Sequence, residues 1–223
     1  MANILCIETS TTNCSVALSV DGNCVAIAED DNKNYSHAEQ LHLFIKKVLE
    51  DANLKMSNLD AIAVSKGPGS YTGLRIGVST AKGLCYALEI PLISLHTLKI
   101  LSKKVEQKTT DYPIIPMIDA RRMEVYTAVF DAKHIMISEV EAKILDEYSY
   151  QSYFNEYDKI YFIGNGVTKF KAICPKPNQA IFVENKNPSA KEMCDLADGL
   201  FINKQFEDVA YFEPYYLKDF VGG

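Results

Sequence analysis

Residues 4–20, ILCIETSTTNCSVALSV, set the pattern on which the predicted fold rests. The stretch begins with an apolar run at residues 4–7 that ends at an acid, Glu8. A turn rich in serine and threonine follows, and residues 15–20 then alternate between apolar and small polar side chains, as a half-buried strand does. A third run at residues 24–29 lies only a short turn further on, so the three segments predict an antiparallel meander.

The second half of the chain repeats this order of elements. An apolar run at residues 114–118 ends at Asp119, and after a short turn we expect strands at 125–130 and around 134–140. In each half a buried strand later runs into a glycine loop, at residues 61–67 and 160–166. The repetition predicts a duplicated α/β protein with an N-terminal lobe, residues 1–105, and a C-terminal lobe, residues 106–223.

Helix-capping signals mark where helices begin between these strands. Ser36 followed by Glu39 forms a capping-box pattern, and Ser189 followed by Glu192 forms another. Between them, Thr72 is the predicted cap of a helix that runs to about residue 88. Strands that alternate with helices in this way are typical of an α/β fold.

A duplicated unit in which an acid closes the first strand of each half describes the actin-like ATPase (ASKHA) fold, here with two ββαβα-type lobes. In that fold two β-turns hold nucleotide phosphates, and the acids hold magnesium and water. The corresponding residues here are Glu8, Thr9, Ser10 and Asp119. Phosphate-binding turns usually place glycine where the backbone approaches the anion, and neither turn contains one. We therefore expect a degenerate phosphate loop, in which the acids are strand-end carboxylates satisfied by turn amides. The alternative is that Glu8 and Asp119 are catalytic acids.

The most distinctive motif is GPGSYTGLRIG at residues 67–77. It is neither a Walker loop, since no Gly-Lys-Ser/Thr closes it, nor a GxGxxG motif. Its glycines allow either an anion at the start of the next helix or a tight strand-to-helix connection that needs small residues. The sequence leaves both open for the candidate residues Gly67, Pro68, Gly69, Ser70, Thr72 and Gly73.

Composition narrows the classes of function. The net charge of -6 makes the chain a poor binder of polyanions by itself, because phosphate contacts need clustered Lys and Arg. The six cysteines show neither CxxC pairs nor zinc-ligand spacing, so we interpret them as buried side chains of a cytoplasmic protein. No apolar run is long enough to span a membrane. His37 and His42 are five apart, which puts them on different helix faces and excludes a helical metal pair.

The helix over residues 74–88 has two apolar stripes where a surface helix needs one. The first should pack on its own sheet. The second is rich in small residues and, with an outward leucine on the preceding helix, forms a candidate partner interface of Leu43, Ile76, Thr80, Gly83 and Ala87. The alternative is that this stripe packs against the 37–51 helix of the same chain.

Four segments resemble the TsaB (YeaZ) family, which is related to the TsaD, or glycoprotease-like, superfamily. They are ILCIETSTTNCSVAL at 4–18, SKGPGSYTGLRIGVSTAKGL at 65–84, IPLISLHTL at 90–98 and the closing EPYYLKDF at 213–220. The resemblance covers the first hundred residues well and the second half only generically. One departure is Glu8, where the family more often has aspartate.

The resemblance implies a subunit rather than an enzyme. TsaB proteins pair with the catalytic subunit TsaD and the ATPase TsaE to transfer threonylcarbamoyl from its adenylate to adenosine beside the tRNA anticodon. TsaD carries a metal-binding His-x-x-x-His where this chain has Thr97 and Leu101. The resemblance thus implies a non-catalytic dimerisation and scaffold subunit with no metal or cofactor of its own. It also implies ATP or ADP only within the complex, tRNA contact only through the partners, a possible homodimer and no membrane contact.

Three other classes remain as alternatives. An ATP-dependent phosphotransferase or hydrolase of the same fold is disfavoured by the glycine-free turns. A self-sufficient tRNA-binding module is disfavoured by the net charge of -6. A metallopeptidase would need a ligand set that the sequence does not offer.

Overall fold

A computed structural model describes residues 2–31, 37–106 and 111–218 of the chain. It contains two five-stranded mixed sheets with helices between the strands. The strands are β1 (Asn3–Glu8), β2 (Cys14–Val20), β3 (Asn23–Asp30), β4 (Ala61–Gly67), β5 (Leu92–His96), β6 (Ile114–Asp119), β7 (Glu124–Thr127), β8 (Glu141–Ile144), β9 (Ile160–Gly164) and β10 (Ala180–Glu184). The helices are α1 (His37–Asp51), α2 (Tyr71–Leu88), α3 (Thr97–Ser102), α4 (Gln151–Glu156), α5 (Val167–Lys171) and α6 (Cys194–Ile202).

The two sheets have the same topology. Their strand orders are β3-β2-β1-β4-β5 and β8-β7-β6-β9-β10, with an antiparallel meander on one side and parallel strands on the other. The order βββαβαβα occurs twice along the chain. The predicted duplication is confirmed, and the repeat is fuller than the predicted ββαβα.

The first sheet is covered on one face by α1 and α2. Their buried side chains follow the predicted helical spacing, as Leu41 and Ile45 of α1 and Leu74 and Val78 of α2 show. Strands β1 and β4 are buried almost throughout, which is why they read as continuous apolar runs. Among the described helices, none combines the length and apolar character needed to cross a membrane.

The chain divides into two compact units, Met1–Thr97 with Pro188–Tyr216 and Leu98–Asn187 with Leu217–Gly223. This division differs from the predicted boundary between residues 105 and 106, because the last helix of each repeat belongs to the unit of the other repeat. Helix α6 is held on the first sheet, where the Ser19 hydroxyl donates to the Cys194 carbonyl oxygen over 3.4 Å. Leu98 and Leu101 of α3 lie in the core of the second unit.

Two predicted boundaries are wrong for local reasons. Helix α2 begins at Tyr71, and its cap is Ser70 rather than Thr72, because the Ser70 hydroxyl accepts the Gly73 N–H. In place of the strand expected around residues 134–140, the Asp131 carboxylate accepts two backbone N–H bonds in a tight turn, and an isolated bridge joins Phe130 and Met136. Strand β8 follows at Glu141. The predicted cap Ser36 lies outside the described residues.

Candidate functional site

The first acid turn follows β1 and is buried. Glu8 is fully inaccessible, and one of its carboxylate oxygens, Oε1, accepts the Ser10 N–H over 2.6 Å. The other oxygen, Oε2, has no hydrogen-bond partner among the described residues. Burial raises the pKa of Glu8 to about 7, although the bonds from Ser10 oppose the shift. The carboxyl group is therefore poised between its neutral and charged forms near neutral pH.

The glycine-rich loop packs directly on this turn. A Cβ atom on Gly69 would lie 2.3 Å from the Ser10 carbonyl oxygen, and one on Gly73 would lie 2.0 Å from that of Thr9. One helical turn further, a Cβ on Gly77 would lie 2.3 Å from the Thr9 hydroxyl. Each distance is shorter than the 3.0 Å that real Cβ atoms keep, so only glycine fits at these positions.

Hydrogen bonds fasten the loop to the turn. The Ser70 N–H donates to the Ser10 carbonyl over 2.6 Å, and the Thr9 hydroxyl donates to the Gly73 carbonyl over 2.7 Å. Gly67 has a φ of +113°, and the backbone beside it is paired, since the Tyr215 N–H donates to the Lys66 carbonyl. These contacts account for the motif as a tight strand-to-helix connection.

The second acid turn is exposed, and its carboxylate forms an ion pair with a lysine. The Asp119 side chain is 43% exposed, and the Lys169 ammonium group of α5 lies 2.7 Å from its Oδ1 atom. The same oxygen accepts the Arg121 N–H over 2.6 Å, and the Asn165 side chain accepts the Asp119 N–H over 2.8 Å. The carboxylate therefore has an internal cation as its partner.

Two adjacent arginines form the tip of this second turn. Arg121 has a φ of 69° and Arg122 a φ of 45°, both in the left-handed region that favours glycine. Both side chains are exposed. The turn thus stores backbone strain at a place where the sequence could have used glycine.

The predicted interface residues lie mostly at the surface of the first unit. Leu43 is 64% exposed, and Gly83 and Ala87 are exposed as well. A Cβ atom on Gly83 would meet nothing within 4 Å, so this position does not pack against α1. Ile76 and Thr80 are partly buried. Their role in binding a partner stays a prediction.

Thr97 and Leu101 stand at the positions where the resemblance to TsaD would place histidines, and both are buried. Thr97 begins α3 and is buried, and Leu101 lies in the core of the second unit. Across the described ranges no three His, Cys, Asp or Glu side chains are grouped so as to hold a metal ion. His37 is used structurally, because its Nε2 atom lies 2.7 Å from the Thr11 carbonyl oxygen, which accepts the bond.

Two contacts of the candidate site were missed from the sequence. Lys169 is 50 positions from Asp119, and nothing in its short helix marks it as the partner of an acid. Tyr216 is further removed from Arg75, whose Nε donates to the Tyr216 hydroxyl over 3.2 Å. Such pairs follow only from the sheet topology, which brings distant segments together.

Comparison with known proteins gives consistent matches. Residues 32–219 match the family model described as TsaD, tRNA N6-adenosine threonylcarbamoyltransferase. The tRNA threonylcarbamoyladenosine biosynthesis protein TsaB of Escherichia coli K12 is 28% identical over 97% of this chain and 94% of its own length. TsaB of Buchnera aphidicola subsp. Acyrthosiphon pisum is 33% identical over 66% of this chain and 67% of its own length.

Solved structures match the chain over most of its length. YeaZ from Pseudomonas aeruginosa superposes with a TM-score of 0.84 at 25% identity, covering 97% of this chain and 100% of that one. The activator of 2-hydroxyisocaproyl-CoA dehydratase from Clostridium difficile superposes with a TM-score of 0.51 at 8% identity, covering 91% of this chain and 97% of that one. The second likeness concerns the fold alone, and with the duplicated topology it confirms the actin-like ATPase fold.

Proposed function

Since this chain belongs to the TsaB family of tRNA threonylcarbamoyladenosine biosynthesis proteins, within the wider group matched by the TsaD family model, we propose that it is a non-catalytic scaffold subunit. Its partners are a TsaD-like catalytic subunit and a TsaE-like ATPase. Together they form N6-threonylcarbamoyladenosine in tRNA. ATP or ADP belongs to the assembled complex rather than to this chain alone.

The observation that carries this proposal is that the first acid turn is covered by the protein itself and the acid of the second turn is paired with an internal cation. The backbone of Thr9 and Ser10 is covered by the glycine-rich loop, so a phosphate has no room against that turn. Asp119 already pairs with Lys169. A phosphotransferase of this fold needs both turns free for nucleotide phosphates and metal.

The exposed stripe on α2 supports a role in assembly. Helix α2 buries one stripe and leaves Gly83 and Ala87 exposed, and Leu43 of α1 is exposed as well. Small residues let a second helix approach closely, and an outward leucine adds apolar area to the contact. A helical interface with the TsaD-like subunit, or with a second copy of this chain, uses this stripe.

The net charge of -6 fits a subunit that reaches tRNA through its partners. Few phosphates can be neutralised by this chain, so its own affinity for tRNA should be weak at physiological salt. The basic surface needed for tRNA then comes from the partner subunits.

Reconstitution tests the proposal. The chain is mixed with the TsaD-like and TsaE-like proteins of its host, tRNA, ATP and threonylcarbamoyl-adenylate, and the modified nucleoside is measured by mass spectrometry. We expect product only when this chain is present, and the Glu8→Gln and Asp119→Asn variants should support it as well as the wild type. ATP turnover by the isolated chain that either variant abolishes would overturn the scaffold assignment.

The Gly83→Arg variant tests the interface. Gly83 faces open space, so the variant should fold with a melting temperature no lower than that of the wild type and should lose the TsaD-like partner in calorimetric titration. A bulky charge in the contact should cost about 2–5 kcal/mol of binding. Val78→Asp is the contrast, because Val78 is buried and its variant should unfold. Binding that survives Gly83→Arg would place the interface elsewhere.

A further inference from the structure

Three of the six cysteines converge on one face of the first sheet. Cys6 lies on β1, Cys24 on β3, and Cys194 is the first residue of α6. Cys6 is the cross-strand partner of Ala17, and Cys24 is that of Ser19, two residues further along β2. Side chains two residues apart on a strand point to the same face, so these four positions share it. All three thiols are free.

A bulge puts Cys24 on this face. Leu18 pairs with Ala26, whereas Ser19 pairs with Cys24, so the register shifts and Val25 is left out of the pairing. In a regular ladder Cys24 would share the face of Ala26, which packs into the core under α1 and α2. The shift turns Cys24 toward α6 instead.

The contacts at Cys194 complete the cluster. Its carbonyl oxygen accepts the Ser19 hydroxyl, and its thiol interacts with the thiols of both Cys6 and Cys24. Hydrogen bonds from Cys6, and then from Cys24 and Ser19, lower the pKa of Cys194 against the effect of burial. Burial raises the pKa of Cys24 to about 11. Cys194 is only 2% exposed, whereas Cys24 is partly exposed, so Cys24 is the thiol of this pair that a solute can reach.

We propose that Cys24 and Cys194 are an oxidation site that forms a reversible disulfide with a hydroperoxide as oxidant. Cys24 is the partner rather than Cys6 because β3 is the edge strand of its sheet and Cys24 is partly exposed. Cys6 lies on an inner strand and is fully buried. An edge strand with a bulge can move to close the S–S bond, whereas β1 is held on both sides.

The chemistry balances with hydrogen peroxide. The Cys24 sulfur attacks one peroxide oxygen, an S–O bond forms, the O–O bond breaks, and the hydroxide released takes the Cys24 proton and leaves as water. The Cys194 sulfur then attacks the Cys24 sulfur, the S–S bond forms and the S–O bond breaks. The second water leaves with the Cys194 proton. Two thiols lose two electrons in total, and one peroxide becomes two water molecules.

The disulfide would fasten the start of α6 to the edge of the first sheet. It closes a very long loop between Cys24 and Cys194, and such cross-links stabilise mainly by restricting the unfolded chain. The oxidised protein should therefore have a higher melting temperature than the reduced one. A dithiol reductant should restore the original value.

The full chain is treated with hydrogen peroxide, free thiols are alkylated, and disulfide-linked peptides are mapped by mass spectrometry. Digestion with trypsin and a protease that cleaves before aspartate separates Cys24 from Cys6 and Cys14, and Cys194 from Cys174. We expect one cross-linked peptide joining Cys24 to Cys194, which disappears on treatment with dithiothreitol.

Matched variants make the result decisive. Cys24→Ser should abolish the cross-link and the rise in melting temperature, while Cys85→Ser, a buried cysteine of α2 outside the cluster, should keep both. Cys24→Ala serves if the serine variant folds poorly. Oxidation that spreads evenly over all six cysteines, a cross-link between Cys6 and Cys194, or no cross-link at all would each overturn the assignment.

Discussion

The turn at Glu8 and the turn at Asp119 occupy equivalent places in the two repeats. In each, the carboxylate accepts an N–H bond of 2.6 Å from the residue two positions on. In each repeat a glycine with positive φ ends the following parallel strand, at Gly67 and Gly164. The local geometry of the duplicated unit has thus been kept in both halves.

The surroundings of the two acids differ in kind. Glu8 is buried under the glycine-rich loop, with one oxygen that finds no partner among the described residues, whereas Asp119 is exposed and paired with Lys169. Burial perturbs a carboxylate far more than a screened ion pair does. The comparison teaches that the same backbone turn can hold its acid in two different environments, covered by a neighbouring loop or paired with an internal cation.

The largest expected change in stability comes from the glycine-rich loop that packs on the first turn. Gly73→Ala places a Cβ atom 2.0 Å from the Thr9 carbonyl oxygen, and backbone at the end of a buried strand cannot move aside easily. The variant should lose about 3 kcal/mol or more in its free energy of unfolding, measured by urea denaturation.

Gly83→Ala is the matched control on the same helix. Gly83 has open space around it, so alanine should raise the free energy of unfolding by about 0.5–1 kcal/mol through its better helix propensity. Equal responses at Gly73 and Gly83 would show that the loop does not press on the Thr9 turn.

A pH effect should come next in size. The pKa of Glu8 is raised from 4.5 to about 7 in the folded chain, so the unfolded chain loses its proton first as pH rises. The folded state is therefore favoured below pH 4.5, and this contribution falls away between pH 4.5 and about 7, by about 3 kcal/mol in total. Glu8→Gln should remove that slope from denaturation curves recorded across this window. A Glu8→Gln protein with the wild-type slope would contradict a buried, neutral carboxyl group.

The ion pair of the second turn should matter little. Asp119 is 43% exposed and Lys169 is 19% exposed, so solvent screens their attraction. A double-mutant cycle with Asp119→Asn and Lys169→Met should give a coupling below about 1 kcal/mol that weakens further in high salt. A coupling of several kcal/mol would contradict this, because the second turn would then contribute as much to stability as the buried first turn does.

The smallest effect should come from the strained tip of the second turn. Arg122→Gly relieves a left-handed conformation and should raise the free energy of unfolding by about 0.5–1 kcal/mol. Arg122→Ala keeps the unfavourable φ and should not gain. Thermal unfolding of the two variants side by side distinguishes strain from the loss of the arginine side chain.

Periodicity and turn chemistry predicted the duplicated α/β order, the buried stripes of α1 and α2 and the position of both acids. These features are local, because apolar spacing and strand-end residues are written in neighbouring positions. The expected strand around residues 134–140 is reduced to an isolated bridge between Phe130 and Met136, since the Asp131 and Ser138 side chains accept backbone N–H bonds there. The exchange of α3 and α6 between the compact units was also outside the reach of local patterns.

The sequence by itself determined the fold class, the family and the position of the glycine-rich motif at residues 67–77. Only the tertiary structure shows why the glycines are needed. Thr9 and Ser10, more than fifty residues away in the chain, fill the space that a Cβ atom would take. It also decided that Asp119 meets Lys169, and that a bulge in β3 turns Cys24 toward Cys194. Local patterns follow from backbone geometry within a few residues. Contacts between distant segments depend on how strands are ordered and registered in the sheet.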